Sequence, residues 1–403
     1  MNKLFIVFFG LMLHFVIAAG SYAGLNEFSV IIGSDPQLWW QIDGEPFSDS
    51  DIETHNKNHR NAMEKLIAGN GLPQGSTNPT ALIMNGDLTE YGRWVQWDAY
   101  NDIYGSIGVQ IYNGLGNHEY ANNASGCGAM AEDIAQYTAL CAAFGGGWAD
   151  PVWGQAPCSV INNMAQEGSS WCANDVRRRM EYWLQSNSHL IKSYDPGSVA
   201  YSFEMRGVHF IQLNNYPTYS VPEIGISSSI NWLKADLSDA VSRNKWIVIN
   251  MHDMADHFKG YQNTEFINAL KGSENNIMGI FSGHLHAYAG YAKDISGSFA
   301  DVNVNGRNIP WFFSGSSDYS IFNLVSFNST GMTVQPIDSN SGTPVYYSGK
   351  TRVSSDVGGG TAILTAPKTV QGLITPVDDN CREVCHEETV GCDTITVCEM
   401  ICE

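Results

Sequence analysis

The chain has 403 residues and a formal net charge of −20, with 21 Lys and Arg against 41 Asp and Glu. That acidic balance excludes bulk nucleic-acid binding and docking on anionic membranes, both of which need clustered Lys and Arg. The length suits one large α/β domain or two of ordinary size.

Residues 1–23 read as a cleavable export signal. Lys3 is a short basic lead, Leu4 to Ala19 an apolar core, and Ser21-Tyr22-Ala23 a small-x-small cleavage site. The mature chain is expected to start near Gly24, to be secreted or periplasmic, and to carry no transmembrane segment. No later window approaches the roughly 18 continuous apolar residues that a span needs. All nine cysteines follow the signal. Cys127, Cys141, Cys158 and Cys172 share one segment, while Cys381, Cys385, Cys392, Cys398 and Cys402 crowd the C-terminus. In an exported chain these read as disulfides. The first four pair naturally as Cys127–Cys141 and Cys158–Cys172, although three connectivities exist. The odd count in the tail leaves one thiol free, bonded to the main domain, or bonded to another chain in an intermolecular disulfide.

Along the chain, a β-rich run from Phe28 to Gly33 ends in Ser34-Asp35-Pro36-Gln37. A helix is expected from Asp51 to about Ala68, closed by Gly69-Asn70-Gly71. His55 and His59 stand four apart on it and read as surface polar residues, since no third ligand lies near. Ala81 to Asn85 is the next buried strand and runs into Gly86-Asp87-Leu88-Thr89-Glu90-Tyr91-Gly92. The helix after it carries Trp94, Trp97 and Tyr100 at packing spacing. Val109 to Tyr112 is a third strand, and Gly114-Leu115-Gly116-Asn117-His118-Glu119-Tyr120 is its turn.

Then about 80 residues pass before the next strand pattern at Val199 to Phe203, too many for a structureless loop. Residues 121–198 are therefore read as a folded insertion that forms a wall or lid over the His118 turn. Within it, Arg177-Arg178-Arg179 lies in a helical pattern and reads as a solvated helix face, with a phosphate-facing patch as the alternative. Val208 to Leu213 leads into Asn214-Asn215-Tyr216, and a helix spans Ser229 to Val241. Trp246 to Asn250 ends in Met251-His252-Asp253, and Ile277 to Phe281 ends in Ser282-Gly283-His284-Leu285-His286. From Ile309 to about Pro336 the alternation predicts antiparallel strands closing a sheet. The main domain spans 24–350, residues 351–380 read as a linker, and 381–403 as a small cysteine-rich module.

Each candidate ligand stands where an apolar strand stops, the place at which open α/β sheets gather ligands. Asp35, Asp87, Asn117, His252, His284 and His286 are the oxygen and imidazole donors that two divalent cations about 3.5–4 Å apart require, one carboxylate being shared.

Asp35-x-Gln37, Gly86-Asp87-x-x-Glu90, Gly116-Asn117-His118-Glu119, His252 and Gly283-His284-x-His286 resemble, in order, the motifs of the calcineurin-like metallophosphoesterase superfamily. The resemblance covers about Phe28 to Val334, with the insertion unmatched. It implies an α/β fold, a four-layer α/β/β/α sandwich of two mixed sheets flanked by helices. It also implies one ion held by Asp35, Gln37, Asp87 and His286 and a second held by Asp87, Asn117, His252 and His284, with Asp87 bridging. The usual first motif is Asp-x-His. Gln37 in place of that imidazole is a neutral, weaker oxygen donor, which favours manganese, iron or magnesium and leaves zinc or calcium open, or else it points away from the ion.

The reaction so implied is hydrolysis of a small phosphate mono- or diester by a metal-bridging hydroxide. His118 would protonate the leaving oxygen and Glu90 would orient that imidazole. Asp253 and Glu119 read as supporting residues. Leu38-Trp39-Trp40 and Asn214-Asn215-Tyr216 read as rim packing, or as a stacking surface for a base, sugar or headgroup. The competing reading is a secreted binding or toxin-like protein on the same scaffold with a weak or inactive metal site. Gln37, the insertion and the tail feed it.

Overall fold

A computed structural model describes residues 27–38, 49–90, 92, 94–124, 174–222, 225–354, 361–376, 381–390 and 393–402. The export signal, Trp39, Trp40, Cys127, Cys141, Cys158, Cys172 and Cys392 lie outside the described residues.

Phe28–Gly33 is buried at every position, as a strand covered on both faces must be. It pairs in parallel with Pro79–Met84, which pairs in parallel with Gln110–Asn113. Its other edge takes the antiparallel hairpin Ile321–Asn328 and Gly331–Asp338. Val345–Tyr346 and Lys368–Gln371 complete this seven-stranded sheet beside Gly331–Asp338.

The second sheet has nine strands. Val208–Gln212, Trp246–Met251, Ile277–Ser282 and Trp311–Ser314 form its parallel centre. Tyr201–Met205 and Ser193–Tyr194 extend one side, and Tyr288–Tyr291, Thr361–Leu364 and Thr351–Ser354 extend the other.

Alternation along the strands builds the layers. Trp246 and Val248 enter the core shared with Phe28, Phe322 and Phe327 of the first sheet, whereas Ile247 and Ile249 enter a second core. That second core holds Ile230, Leu233 and Leu237 from the helix Ile230–Ser242 and Phe266 from the helix Thr264–Ala269. Successive side chains of a strand point to opposite faces, so an unbroken apolar run such as Trp246–Met251 is buried only between two partners. Phe210 of the second sheet meets Phe327 of the first edge-on at 5.8 Å, which ties the sheets together. Ala62, Met63 and Leu66 of the helix Asp49–Ile67, and Tyr100 and Tyr104 of Trp94–Tyr104, pack with the first sheet. The result is a mixed α/β fold of two large mixed sheets with few helices.

Several expectations change. The stretch 351–380, expected as a linker, supplies three strands to the two sheets at Thr351–Ser354, Thr361–Leu364 and Lys368–Gln371. Short strands of mixed burial carry little apolar period, so only pairing reveals them. Of the antiparallel set expected from Ile309 to about Pro336, Ile321–Asn328 and Gly331–Asp338 pair so, whereas Trp311–Ser314 is antiparallel to Tyr288–Tyr291 but parallel to Ile277–Ser282. His59 is not on the surface. It is fully buried, edge-on to Phe322 at 5.1 Å, with Nδ1 2.9 Å from the Ser339 hydroxyl. Burial, and then His55, push its pKa down to about 3, so it is a neutral core residue.

The arginine knot braces rather than simply solvates. Arg177 reaches Glu181, Pro196 O and Gly225 O, and Arg179 lies 5.9 Å above the Trp97 ring. Of the insertion, the described part includes the helix Asn174–Ser186 and the strand Ser193–Tyr194. The tail is a hairpin of Cys381–Val390 and Asp393–Cys402.

Candidate metal centre

The parallel strands of both sheets end at one place, and the turns leaving them converge there. Those turns are tight. Asp35, Gln37, Asp87 and His284 all have positive φ, at 51°, 36°, 47° and 69°. Non-glycine residues rarely adopt that region, and such strain clusters where a site over-determines the backbone. Glycine is required beside them. A methyl group on Gly283 would collide with Ser34 Oγ and the Asp35 carboxylate, so the His284 turn can approach the Asp35 turn only without a side chain. In that approach the His284 N–H donates to Asp35 Oδ2 at 3.0 Å.

Asp87, wholly buried, lies at the centre. Its Oδ1 accepts the His118 N–H at 2.8 Å, and its Oδ2 is 2.9 Å from His252 Nε2. Asn117 Oδ1 also stands 2.9 Å from that nitrogen. The opposite ring nitrogen, Nδ1, is 2.9 Å from Asn85 O, an acceptor only, so Nδ1 carries the proton. The His252 Nε2 lone pair, a carboxylate oxygen and an amide oxygen therefore converge, which is a set that calls for a cation. His284 joins this set, its ring 5.2 Å from that of His252. On the other side of Asp87, His286 Nε2 is 3.1 Å from Asp35 Oδ1, and Asp35, Asp87 and His286 form a second group.

Three shielded oxygens lack any ordinary donor: Gln37 Oε1 makes no hydrogen bond, and Asp87 Oδ2 and Asp35 Oδ1 face only the imidazole nitrogens of His252 and His286. Buried acceptors are rarely left so, and divalent cations satisfy them. The amide of Gln37 has a defined direction, because its Nε2 donates to Glu90 Oε2 at 3.3 Å. The reverse rotamer would set its oxygen against a carboxylate. The donors thus fit divalent cations, and the Gln37 oxygen is turned away from Glu90.

The electrostatics agree. Burial raises the pKa of Asp87, but His252 and then His118 outweigh it and hold the carboxylate well below its ordinary range. Burial would lower His252 and His286. Asp87, then Asp35, raise the former to about 10, while Asp35, then Asp318, raise the latter to about 10. Protons sit where cations belong.

His118 lies beside this centre on the helix Asn117–Ala124. Its Nδ1 is 3.0 Å from Glu90 Oε2 and its Nε2 is 3.9 Å from Asp87 Oδ2. Burial alone would lower its pKa, but Asp87 and then Glu90 raise it to about 9, so the ring is protonated at neutral pH. Burial raises the pKa of Glu90, and the His118 contact opposes that rise.

Neighbouring acids support loops. Glu119 accepts from the Gly116 and Thr89 N–H groups and the Thr89 hydroxyl. Asp253 accepts from the N–H groups of Ala255, Asp256 and His257. Asp253, His257 and His284 also lie close enough to hold an ion. Tyr216 stacks on Phe258 at 5.0 Å, which is packing. Sequence reasoning missed Asp318, 3.9 Å from His286 Nδ1. The signal was present, since Asp318 follows the end of Trp311–Ser314 just as the other site residues follow their strands.

Residues 34–288 match the family model described as calcineurin-like phosphoesterase. No curated protein matches the chain. One similar solved structure is a conserved protein of Streptococcus pneumoniae TIGR4, described as a predicted phosphoesterase. It is 9% identical with a TM-score of 0.30 over 80% of this chain and 98% of that one, a likeness too slight to carry an argument. The family match spans well over half of the sequence and takes in the turns that carry Asp35, Asp87, Asn117, His252 and His284. By that match, the chain belongs to the calcineurin-like phosphoesterase family.

Proposed function

We propose that the protein is an exported, dinuclear metal-dependent phosphoesterase that hydrolyses small phosphate mono- or diesters with His118 as general acid. The observation that carries this reading is Asp87, a buried carboxylate shared by two groups that could each hold an ion, with the His118 imidazole beside it and paired to Glu90. Asp35, Gln37, Asp87 and His286 would hold one ion, and Asp87, Asn117, His252 and His284 the other. Divalent ions there would polarise the phosphoryl oxygens and acidify an attacking water. The first donor set, three oxygen-bearing side chains and one imidazole, favours manganese, iron or magnesium.

The chain's own residues do the rest. His118 presents a proton at Nε2, the nitrogen turned away from Glu90 and toward Asp87. Glu90 accepts the Nδ1 proton and so fixes the ring's direction and its charge. The Glu119 bonds to Gly116 and Thr89 hold the His118 turn against the Asp87 turn. That keeps the acid in register with the ion-binding carboxylate.

The test is metal content and turnover of p-nitrophenyl phosphate and bis-p-nitrophenyl phosphate on purified protein loaded with manganese. Wild type is expected to hold two ions and turn over at least one of the esters, whereas Asp87→Ala loses that turnover and His118→Ala lowers it by less, since p-nitrophenolate needs little help from an acid. Wild type as inert as Asp87→Ala across all divalent metals would overturn the reading in favour of a binding protein. Export is read separately, from an N-terminus at Gly24 on protein recovered outside the cell.

A further inference from the structure

The loop after Trp311–Ser314 is fastened to both halves of the first ion set. Ser317 donates to Asp35 O through its backbone N–H at 3.3 Å and through Oγ at 3.2 Å. The same hydroxyl reaches Pro36 O at 3.1 Å. Ser316 Oγ donates to His286 O at 3.2 Å and accepts the Tyr319 N–H at 3.2 Å. One serine therefore holds the turn that presents Asp35 and Gln37, and its neighbour holds the turn that presents His286. Between these anchors stands Asp318, 8% exposed, with Oδ2 3.9 Å from His286 Nδ1.

A carboxylate is costly to shield from water unless it faces a donor or a positive charge, and the ring it faces is His286. His286 turns its other nitrogen, Nε2, to Asp35 Oδ1 at 3.1 Å. At 3.9 Å the carboxylate acts on the ring as a nearby negative charge rather than through a direct hydrogen bond, which favours the proton at Nδ1, leaves the Nε2 lone pair for a metal and makes it more basic.

We propose that Asp318 is a positioning residue for the first ion: it holds His286 with Nε2 aimed at the metal and strengthens that ligand where Gln37 supplies only a neutral amide oxygen. The proposal rests on the two-ion reading and deepens it. Asp318 touches neither substrate nor ion and acts through His286.

The experiment is manganese titration of full-length protein by calorimetry, with bound metal counted after dialysis. Asp318→Asn is expected to weaken one of the two sites about 10–100-fold, the usual effect of removing a ligand's backing group, and to leave the other unchanged. Asp318→Glu recovers part of the loss. In a His286→Ala background, Asp318→Asn adds nothing; an equal further loss there would mean a role not exerted through His286 and would overturn the proposal. Two manganese ions bound with wild-type affinity by Asp318→Asn would also overturn it, and would leave the two-ion reading standing. Wild type that binds no ions sinks the two-ion reading itself. A measurement independent of any variant's folding is nitrogen-15 histidine spectroscopy of zinc-loaded wild type. It should show His286 coordinated through Nε2 and protonated at Nδ1; the reverse assignment is fatal to the proposal.

Discussion

Gln37 donates its amide Nε2 to Glu90 at 3.3 Å, and the Glu90 oxygen that accepts it is also 3.0 Å from His118 Nδ1. The proposed first-ion ligand and the proposed general acid thus share one carboxylate oxygen. Glu90→Gln is expected to lower kcat about 10²-fold, within the range for impaired general acid catalysis. It should also move the basic limb of the pH–rate profile to lower pH. The sign follows from charge: with Asp87 shared by cations, Glu90 is the anion left to hold the His118 proton, and the acid must be protonated to act. A basic limb that stays in place would separate Glu90 from His118.

The demand on His118 depends on the leaving group. His118→Ala should cost about 10²–10⁴-fold on alkyl phosphate esters, whose alkoxides need a proton. The loss on p-nitrophenyl esters should be smaller, because p-nitrophenolate leaves unaided. Equal losses on both classes would point to a role in binding instead.

Gly283 is where the two sheets' turns touch. Gly283→Ala places a methyl group against Ser34 Oγ and Asp35, and it must push the His284 turn away. We expect a loss of about 1–3 kcal/mol in unfolding free energy of the metal-free protein, the usual cost of overpacking. Metal uptake should fail as well. Chemical denaturation and metal counting read the two effects separately.

Far from the centre, His209 is buried between Glu204 Oε1 at 2.9 Å and Asp236 Oδ2 at 2.7 Å. Burial would lower its pKa, but Asp236 and then Glu204 more than offset this and raise it above the ordinary 6.5. Its contribution to stability is therefore complete below pH 6.5 and is lost as pH rises through the raised value. Burial would raise Glu204, yet His209 and then Arg243 depress it from 4.5 to about 2, so its contribution is complete above pH 4.5 and lost as pH falls toward 2. The stability gap between wild type and His209→Gln should be widest between pH 4.5 and 6.5 and shrink on either side. Asp236→Ala, which strands the buried imidazolium, should cost about 3–5 kcal/mol at pH 6. Denaturant melts across pH test both statements.

In the tail, Cys381 stands opposite Cys402 and Cys385 opposite Cys398 in the hairpin register. Directly opposed antiparallel residues have Cα atoms about 4.5–5.5 Å apart, inside the range a disulfide spans. In an oxidising compartment, peptide mapping without reductant should recover Cys381–Cys402 and Cys385–Cys398. Other pairings, or thiols that alkylate freely, would refute this register-based assignment.

What the sequence by itself determined is local. An apolar run that stops at Gly86-Asp87 or Gly283-His284 declares a buried strand and the turn after it, because burial pattern and turn chemistry are written in neighbouring residues. Ligand kinds at those turns were legible for the same reason. What only the tertiary structure decided is long-range. His59 looked like a surface residue until Ser339 and Phe322, some 260 to 280 positions onward, closed over it. The strands within 351–371 have no apolar period of their own and exist because Gly331–Asp338 and Tyr288–Tyr291 offer open edges. Gln37 could be given a direction only by Glu90, and Asp318 a purpose only by His286. Each of these is a contact between turns far apart in the chain, and residue spacing holds no record of such distances.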